Sequence, residues 1–423
     1  ATLGIGSMSA ALLILKKQLE ASYKASMQFN EGLANVATLI PGQAGRILEL
    51  KDSVKQLSIE TGKPLDDLTN GLYQVVSAFG DSIETQERLE VVTKASIAGQ
   101  STTVDSLNLL SAVTKAYGDT SVSALKKVSD LAFETLRLGQ TTFPELANSM
   151  QQVTDIANRL NVSQEELFGA FATLTGVTGN ASTVATQYRS ALVALEAPSD
   201  DLKKLYDELG VASGKALIEQ YGLQGAFEEV VNYSDRTGIS LQSLLGRVQA
   251  MIFASSLAGA QSETYARKLG EIDVATGSTE RAFGEVENGI NKQGFALKQL
   301  KAEWAVLQTT IGDKVQPIMA DLYDSFKETI SRINANNISV YNLNKSYNDL
   351  ISSTSEYNSI VNQLQGNQGN LTVLEERMLK IRKEQASLDI SKSLNELARN
   401  YKSTEDSLTN YEKKIKSSMS SQE

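Results

Sequence analysis

Adjacent carboxylates at Asp66-Asp67, Glu165-Glu166, Asp200-Asp201 and Glu228-Glu229 are the residues of this chain best equipped for chemistry, because two acids are the minimum for hydrolysing a glycosidic bond. Gly210-Val211-Ala212-Ser213-Gly214-Lys215 offers another kind of site, a glycine loop that could cradle phosphate. Its spacing fails. A P-loop needs four residues between the glycines and a Ser or Thr after the lysine, and here Ala216 follows a shorter gap. Gly4-Ile5-Gly6 lacks the third glycine of a dinucleotide fingerprint. The chain contains no histidine and no cysteine, which excludes disulfides, zinc fingers and His-based triads. A carboxylate-only enzyme is the remaining catalytic route. All the acid pairs except Glu228-Glu229 stand where helices are expected to begin, and there they complement the helix dipole. No catalytic, cofactor-binding or metal-binding residue is therefore expected.

The elements that would position these residues are helices. Gly62, Gly80, Gly99, Gly118 and Gly139 each close an apolar stretch and are followed by fresh polar start signals. Glycine past a helix end enters the left-handed conformation without a Cβ penalty, so the pattern predicts helix, turn, helix, repeated as αα-hairpins. Thr142-Phe143-Pro144-Glu145 is a capping box with proline in the first turn, Ser163-Gln164-Glu165-Glu166 repeats the box, and Ser199 opens a helix that stops at Gly210. Loops are expected at 176–180 and 222–225. Asn161 and Asn180 fit the glycosylation tripeptide and serve equally as turn and cap residues. Arg189, inside an apolar helix, is expected to form a salt bridge or cap a carbonyl.

After Gly294 the character changes. Leu300, Trp304, Leu307, Ile311, Val315, Ile318 and Leu322 form a sustained stripe with no glycine turn, predicting one long helix through Ile333, bent at Pro317, with Trp304 on its apolar face. Thinner stripes follow around Leu343, Tyr347 and Leu350 and from Leu394 to Ile415, on either side of a loop at 366–370. The expected fold class is all-α: a compact multi-helix domain of αα-hairpins followed by long extended or coiled-coil helices. Its parts are an N-terminal amphipathic helix over 1–40, a compact helical core over 41–294, a long helix over 295–334 and a polar extended or coiled-coil region over 335–423 that continues beyond the sequence given.

At 423 residues, 41% hydrophobic and with only 5 prolines, the chain is long enough for a sizeable core. A net charge of −10 argues against a nucleic-acid partner, whose phosphates would be repelled. The apolar run Ala10–Leu15 is too short to span a bilayer. Leu241–Ala260, with Arg247 as its one charge, predicts a buried hairpin core. Because its length approaches the ~20 residues that cross a membrane, a pore-forming or membrane-interacting helical protein is the alternative.

From about Phe29 to Ile333 the chain resembles the core region of the tail tape measure proteins of long-tailed bacteriophages. The segments that carry the resemblance are Leu72–Ala78, Gly139–Ala147, Glu165–Thr175 and Leu244–Ala250, with Ala98-Gly99, Ala116-Tyr117-Gly118, Ile311-Gly312 and Pro317 in the same order. The resemblance implies a structural protein of the virion or of a prophage. It would lie in the tail tube lumen, set tail length during assembly and be expelled ahead of DNA at infection. It implies as partners the tail tube protein, tail tip or baseplate proteins, tail assembly chaperones and other copies in a helical bundle, and the host membrane during ejection, with no specific nucleic-acid binding. Assembly would occur in the host cytoplasm. It carries over no catalytic residue and no cofactor.

Overall fold

A computed structural model describes residues 3–336, with side chains described within residues 21–314 and at 316. Every regular element among the described residues is helical. In chain order they are α1 (Leu3–Leu39), α2 (Ala44–Thr61), α3 (Leu65–Phe79), α4 (Thr85–Ala98), α5 (Thr103–Ala116), α6 (Val122–Leu138), α7 (Phe143–Arg159) and α8 (Gln164–Thr178). There follow α9 (Ala181–Glu196), α10 (Asp200–Leu209), α11 (Gly214–Thr237), α12 (Leu241–Leu245), α13 (Val248–Ser255), a π-helical turn (Ser256–Ala260), α14 (Ser262–Asp273), α15 (Ser278–Asn288) and α16 (Lys292–Asn336). The all-α expectation holds; the stripes expected beyond residue 336 lie outside the described residues.

Local chemistry starts these helices. Thr142 and Ser163 each complete a capping box, the hydroxyl accepting from the backbone of Glu145 or Glu166 while that glutamate accepts from the cap residue's N–H. Thr102, Ser121, Asn180, Ser199 and Ser213 cap α5, α6, α9, α10 and α11 with the same side-chain bond. Each such cap contributes about 1 kcal/mol.

The glycine ends are of two kinds. Gly62, Gly80 and Gly118 take positive φ, as a helix-ending glycine should. Gly99 and Gly139 do not: their φ values are −87° and −113°. Close approach explains both, since a Cβ at Gly139 would stand 2.5 Å from Thr175 Oγ1, and one at Gly99 would enter the Phe143 ring. The left-handed position at the end of α4 falls instead on Gln100 (φ 51°), whose neighbour Ser101 N–H returns to the Ser96 carbonyl.

Residues 30–306 form one compact unit. In it the helices alternate between two layers, α3, α5, α7, α9 and α13 packing side by side in one and α2, α4, α6, α8 and α14 in the other. The first four helices of the first layer begin at Leu65, Thr103, Phe143 and Ala181, a hairpin period of roughly forty residues that matches stacked helical repeats. The core is richest where α8, α9, α11 and α13 meet. Phe171, Tyr188, Phe253 and Phe227 form a chain of rings with successive centroids 6.0, 5.3 and 5.2 Å apart, all fully buried. Each such side chain stabilises the fold by about 1.5–3 kcal/mol. Residues 3–29 and 307–336 belong to a second unit, in which Ser26 Oγ donates to Asp313 Oδ1 at 2.7 Å. Backbones approach closely there, for a Cβ on Gly312 would stand 2.3 Å from the Ser22 carbonyl oxygen.

Several expected loops are helix. Gly176 lies inside α8, and only Gly179 and Asn180 separate α8 from α9. The expected loop at 222–225 is a kink inside α11 at Gly222 (φ 72°, ψ 174°). Pro317 falls within α16, which runs on as one helix to Asn336. Leu241–Ala260, expected as a buried hairpin core, turns at Gly246 (φ 73°) between α12 and α13, with Leu244, Leu245, Ala250, Phe253 and Ala254 buried, and the π turn divides it again. No helix among the described residues is long and apolar enough to cross a membrane.

Candidate functional site

The carboxylates singled out by the sequence do not converge on a cleft; most are bound to a helix end, a lysine or a neighbouring side chain. Asp67 reaches from α3 to the start of α5, accepting from Thr103 N–H at 3.2 Å and from its hydroxyl at 2.6 Å, with Lys63 3.4 Å away. Asp66 beside it is exposed. Glu165 pairs with Lys127 at 2.7 Å. Asp200 and Asp201 pair with Lys203 and Lys204, one turn along α10, at 2.9 and 2.7 Å. Glu228 accepts from the Gln224 side chain at 2.9 Å and from Ser262 Oγ at 3.2 Å, and Glu229 is half-buried on the same helix.

Glu166 is the most heavily used. One carboxylate oxygen takes the Ser163 N–H and hydroxyl at 3.0 and 2.9 Å, closing the capping box of α8. The other takes the Leu223 N–H at 2.7 Å, directly after the kink in α11. Asp273, nearby, is pushed above the usual carboxylate range by burial and by Glu165 and Glu166. Among the described residues no group of His, Cys, Asp and Glu is arranged to hold a metal ion.

The glycine-lysine segment is closed against the protein. Gly210 is a left-handed cap (φ 69°), Ser213 spends its hydroxyl on Ala216 N–H at 3.2 Å, and a Cβ on Gly214 would stand 2.3 Å from the Leu195 carbonyl oxygen. Lys215 points away toward Glu219, 3.8 Å distant. The Gly210 and Val211 amides close the end of α10 and the Ala216 amide starts α11, as the turn reading requires. Asn161 (φ 61°) is a helix-ending turn residue and Asn180 an N-cap, again the local reading. Arg189 is exposed on α9 between the buried Tyr188 and Ser190, and among the described residues it forms neither the expected salt bridge nor a carbonyl cap. Trp304 is half-buried on α16.

Two charged residues that the sequence reading passed over matter more. Lys268 of α14 is buried and donates to the carbonyls of Leu138 at 2.6 Å and Ala172 at 2.8 Å, and burial lowers its pKa. Asp130 of α6 accepts from the N–H groups of Gly277 at 2.7 Å and Thr279 at 2.9 Å, pinning the start of α15. Both act as caps delivered from a distant helix. The available signal was their register: Lys268 falls between Tyr265 and Ile272, both on the buried face of α14.

One open groove of about 670 Å³ lies where α6, α14 and α15 meet. Three of its charges are matched to one another. Arg137 binds Glu134 and Glu271 at 2.5 and 2.7 Å, and Glu271 is held below its usual range chiefly by that Arg137 bond. No nucleophile stands beside a base in it. What this arrangement does chemically is hold helices.

Residues 51–259 match the family model described as phage-related minor tail protein. The chain is also 22% identical, over 295 residues, to the "Probable tape measure protein" of Clostridium phage phiCD119, a match covering 66% of this chain and 31% of that protein. The chain thus spans about a third of the length of that relative. No solved structure matches it.

Proposed function

We propose, on the premise that the helical block of this chain belongs to the phage tail tape measure family, that the chain works as a structural ruler within the tail. The observation that carries this reading is the family match over 51–259, which coincides with the stack of hairpins. A helix advances ~1.5 Å per residue, so extended helix gives a length standard with a fixed end, and tube growth stops when that length is covered. The protein then occupies the tail tube lumen until it leaves ahead of the DNA. The net charge of −10 suits it, because a plug that gripped the genome would not leave first.

In this reading residues 1–40 form an entry helix, 41–294 the compact core, 295–334 a connecting helix and 335–423 extended or coiled-coil ruler. The carboxylates serve folding rather than catalysis, and the role is non-enzymatic. Tube and tip or baseplate proteins, tail assembly chaperones and further copies of the chain are its partners, with the host membrane met at ejection. It is made in the host cytoplasm and carried in the virion.

In-frame deletions after Asn334, made in the complete gene, should shorten tails by ~1.5 Å per residue removed when particles are measured by electron microscopy. Tails of unchanged length would sink the ruler reading for that region.

A further inference from the structure

The sequence of α11 runs from Gly214 to Thr237 without proline, yet the helix breaks at Gly222, where φ 72° and ψ 174° are closed to side-chain-bearing residues. Before the break the buried residues are Leu217 and Ile218; after it they are Leu223, Ala226, Phe227 and Val230. Placed on one straight helix at about 3.6 residues per turn, these two sets lie on opposite faces. The kink therefore rotates the second half so that both sets enter one core.

The break exposes a new helix start, and Glu166 supplies its cap. Oε1 of Glu166 accepts from Leu223 N–H at 2.7 Å and would stand 3.0 Å from a Cβ at Gly222. A second break lies close by. At the π turn Gly259 departs from helical geometry (φ −121°, ψ −106°), and α14 restarts at Ser262. The two restarts are tied side chain to side chain: Gln224 donates to Ser262 Oγ at 2.7 Å, and that hydroxyl donates to Glu228 at 3.2 Å. Tyr265, one turn further along α14, donates to the Glu166 carbonyl at 3.4 Å.

We propose that Glu166 and the Gln224–Ser262–Glu228 cluster form a latch that holds two helix breaks closed in the compact state, and that the latch opens when helices from other copies cover both faces of α11. This rests on the tape-measure reading, in which the chain assembles with further helices. Alone, a straightened α11 would leave one apolar face in water, which keeps the latch shut. Inside a bundle that face is covered, and α11 becomes a continuous helix of ~36 Å.

Hydrogen exchange on the isolated chain tests the latch. In Glu166→Ala the Leu223 amide should exchange about tenfold faster than in the parent, while Glu166→Gln, whose one carbonyl oxygen can serve that amide only by turning its NH2 toward the Ser163 N–H, should give a rate between the two. Ser163→Ala, which weakens the start of α8 but leaves Oε1 in place, should not speed Leu223. Equal Leu223 rates in the parent and Glu166→Ala, or equal acceleration by Ser163→Ala, overturn the latch.

Opening is tested in the complete protein with Gln224→Cys and Ser262→Cys joined by a short cleavable bismaleimide; residues 1–423 hold no cysteine, and any elsewhere in the complete protein is first replaced by Ser so that the link is selective. Linked protein should form no full-length tails, and cleavage should restore them. Full-length tails from linked protein overturn the opening step. The ruler reading fails separately, in the deletion series, where the latch is untouched.

Discussion

Gly99 lies against the ring of Phe143, so closely that a Cβ on it would stand 2.4 Å from Cδ2. Phe143 is fully buried as the first residue of α7, so neither ring nor backbone has room to retreat. Gly99→Ala should therefore destabilise the fold by about 1–3 kcal/mol, the usual cost of overpacking. The adjacent Gln100 carries the left-handed conformation that Gly99 does not, and Gln100→Gly should stabilise by about 1 kcal/mol. Urea denaturation of the two variants should move the midpoint in opposite directions; a lower midpoint for Gln100→Gly would refute the division of labour.

Lys268 ties two helices together, capping the end of α6 through the Leu138 carbonyl and reaching the Ala172 carbonyl inside α8. Lys268→Met keeps the aliphatic stem but leaves buried carbonyl oxygens without that donor, at a cost of about 1–3 kcal/mol. Amide exchange should accelerate at the end of α6 and in α8. Stability equal to the parent would mean that those carbonyls are satisfied without the ammonium.

Features legible in the sequence were those whose cause lies within one turn of helix. The capping boxes of Thr142 with Glu145 and Ser163 with Glu166 need residues only three apart, and both form. So does the failure of Gly210–Lys215 as a phosphate loop, since the hydroxyl of Ser213 is within reach of its own helix. Illegible features depend on partners far along the chain. Nothing near Gly139 announces Thr175, nothing near Gly222 announces Glu166, and the two-layer stack is written only in which helices touch. In Leu241–Ala260 the apolar composition points to a buried core, and Leu244, Leu245, Ala250, Phe253, Ala254 and Leu257 are buried, but composition does not show that Gly246 and Gly259 cut the segment into short pieces. At the site level three of the four acid pairs stand at helix starts, as their spacing predicts, while Lys268 and Asp130 look in sequence like ordinary surface charges.

Asp81 makes stability depend on acid. Burial pushes its pKa up, but hydrogen bonds from Arg46, at 3.0 Å to the nearer oxygen, and from Thr85 outweigh that and hold it below the ordinary value. A carboxylate depressed in the folded state contributes stability above its unfolded pKa and loses it as pH falls through the folded value. Asp81→Asn should thus cost about 2 kcal/mol near neutral pH. The gap between parent and variant should close as denaturation is repeated from about pH 6 to about pH 3. A gap that stays constant would assign the loss to packing rather than charge.

Two buried tyrosines should respond oppositely to loss of the hydroxyl. Tyr206 donates to the Leu195 carbonyl at 3.0 Å, so Tyr206→Phe removes a made hydrogen bond and should destabilise by about 1 kcal/mol. Tyr188 is fully buried among Phe171 and Phe253, and its hydroxyl meets no hydrogen-bond partner among the described residues. Burial also drives its pKa well up, so the group stays protonated and keeps a donor that is not used. Tyr188→Phe retains the ring contacts while removing the desolvated hydroxyl, and should stabilise by about 1 kcal/mol. Parallel urea curves decide it: a Tyr188→Phe midpoint below the parent would show that the hydroxyl is bonded after all.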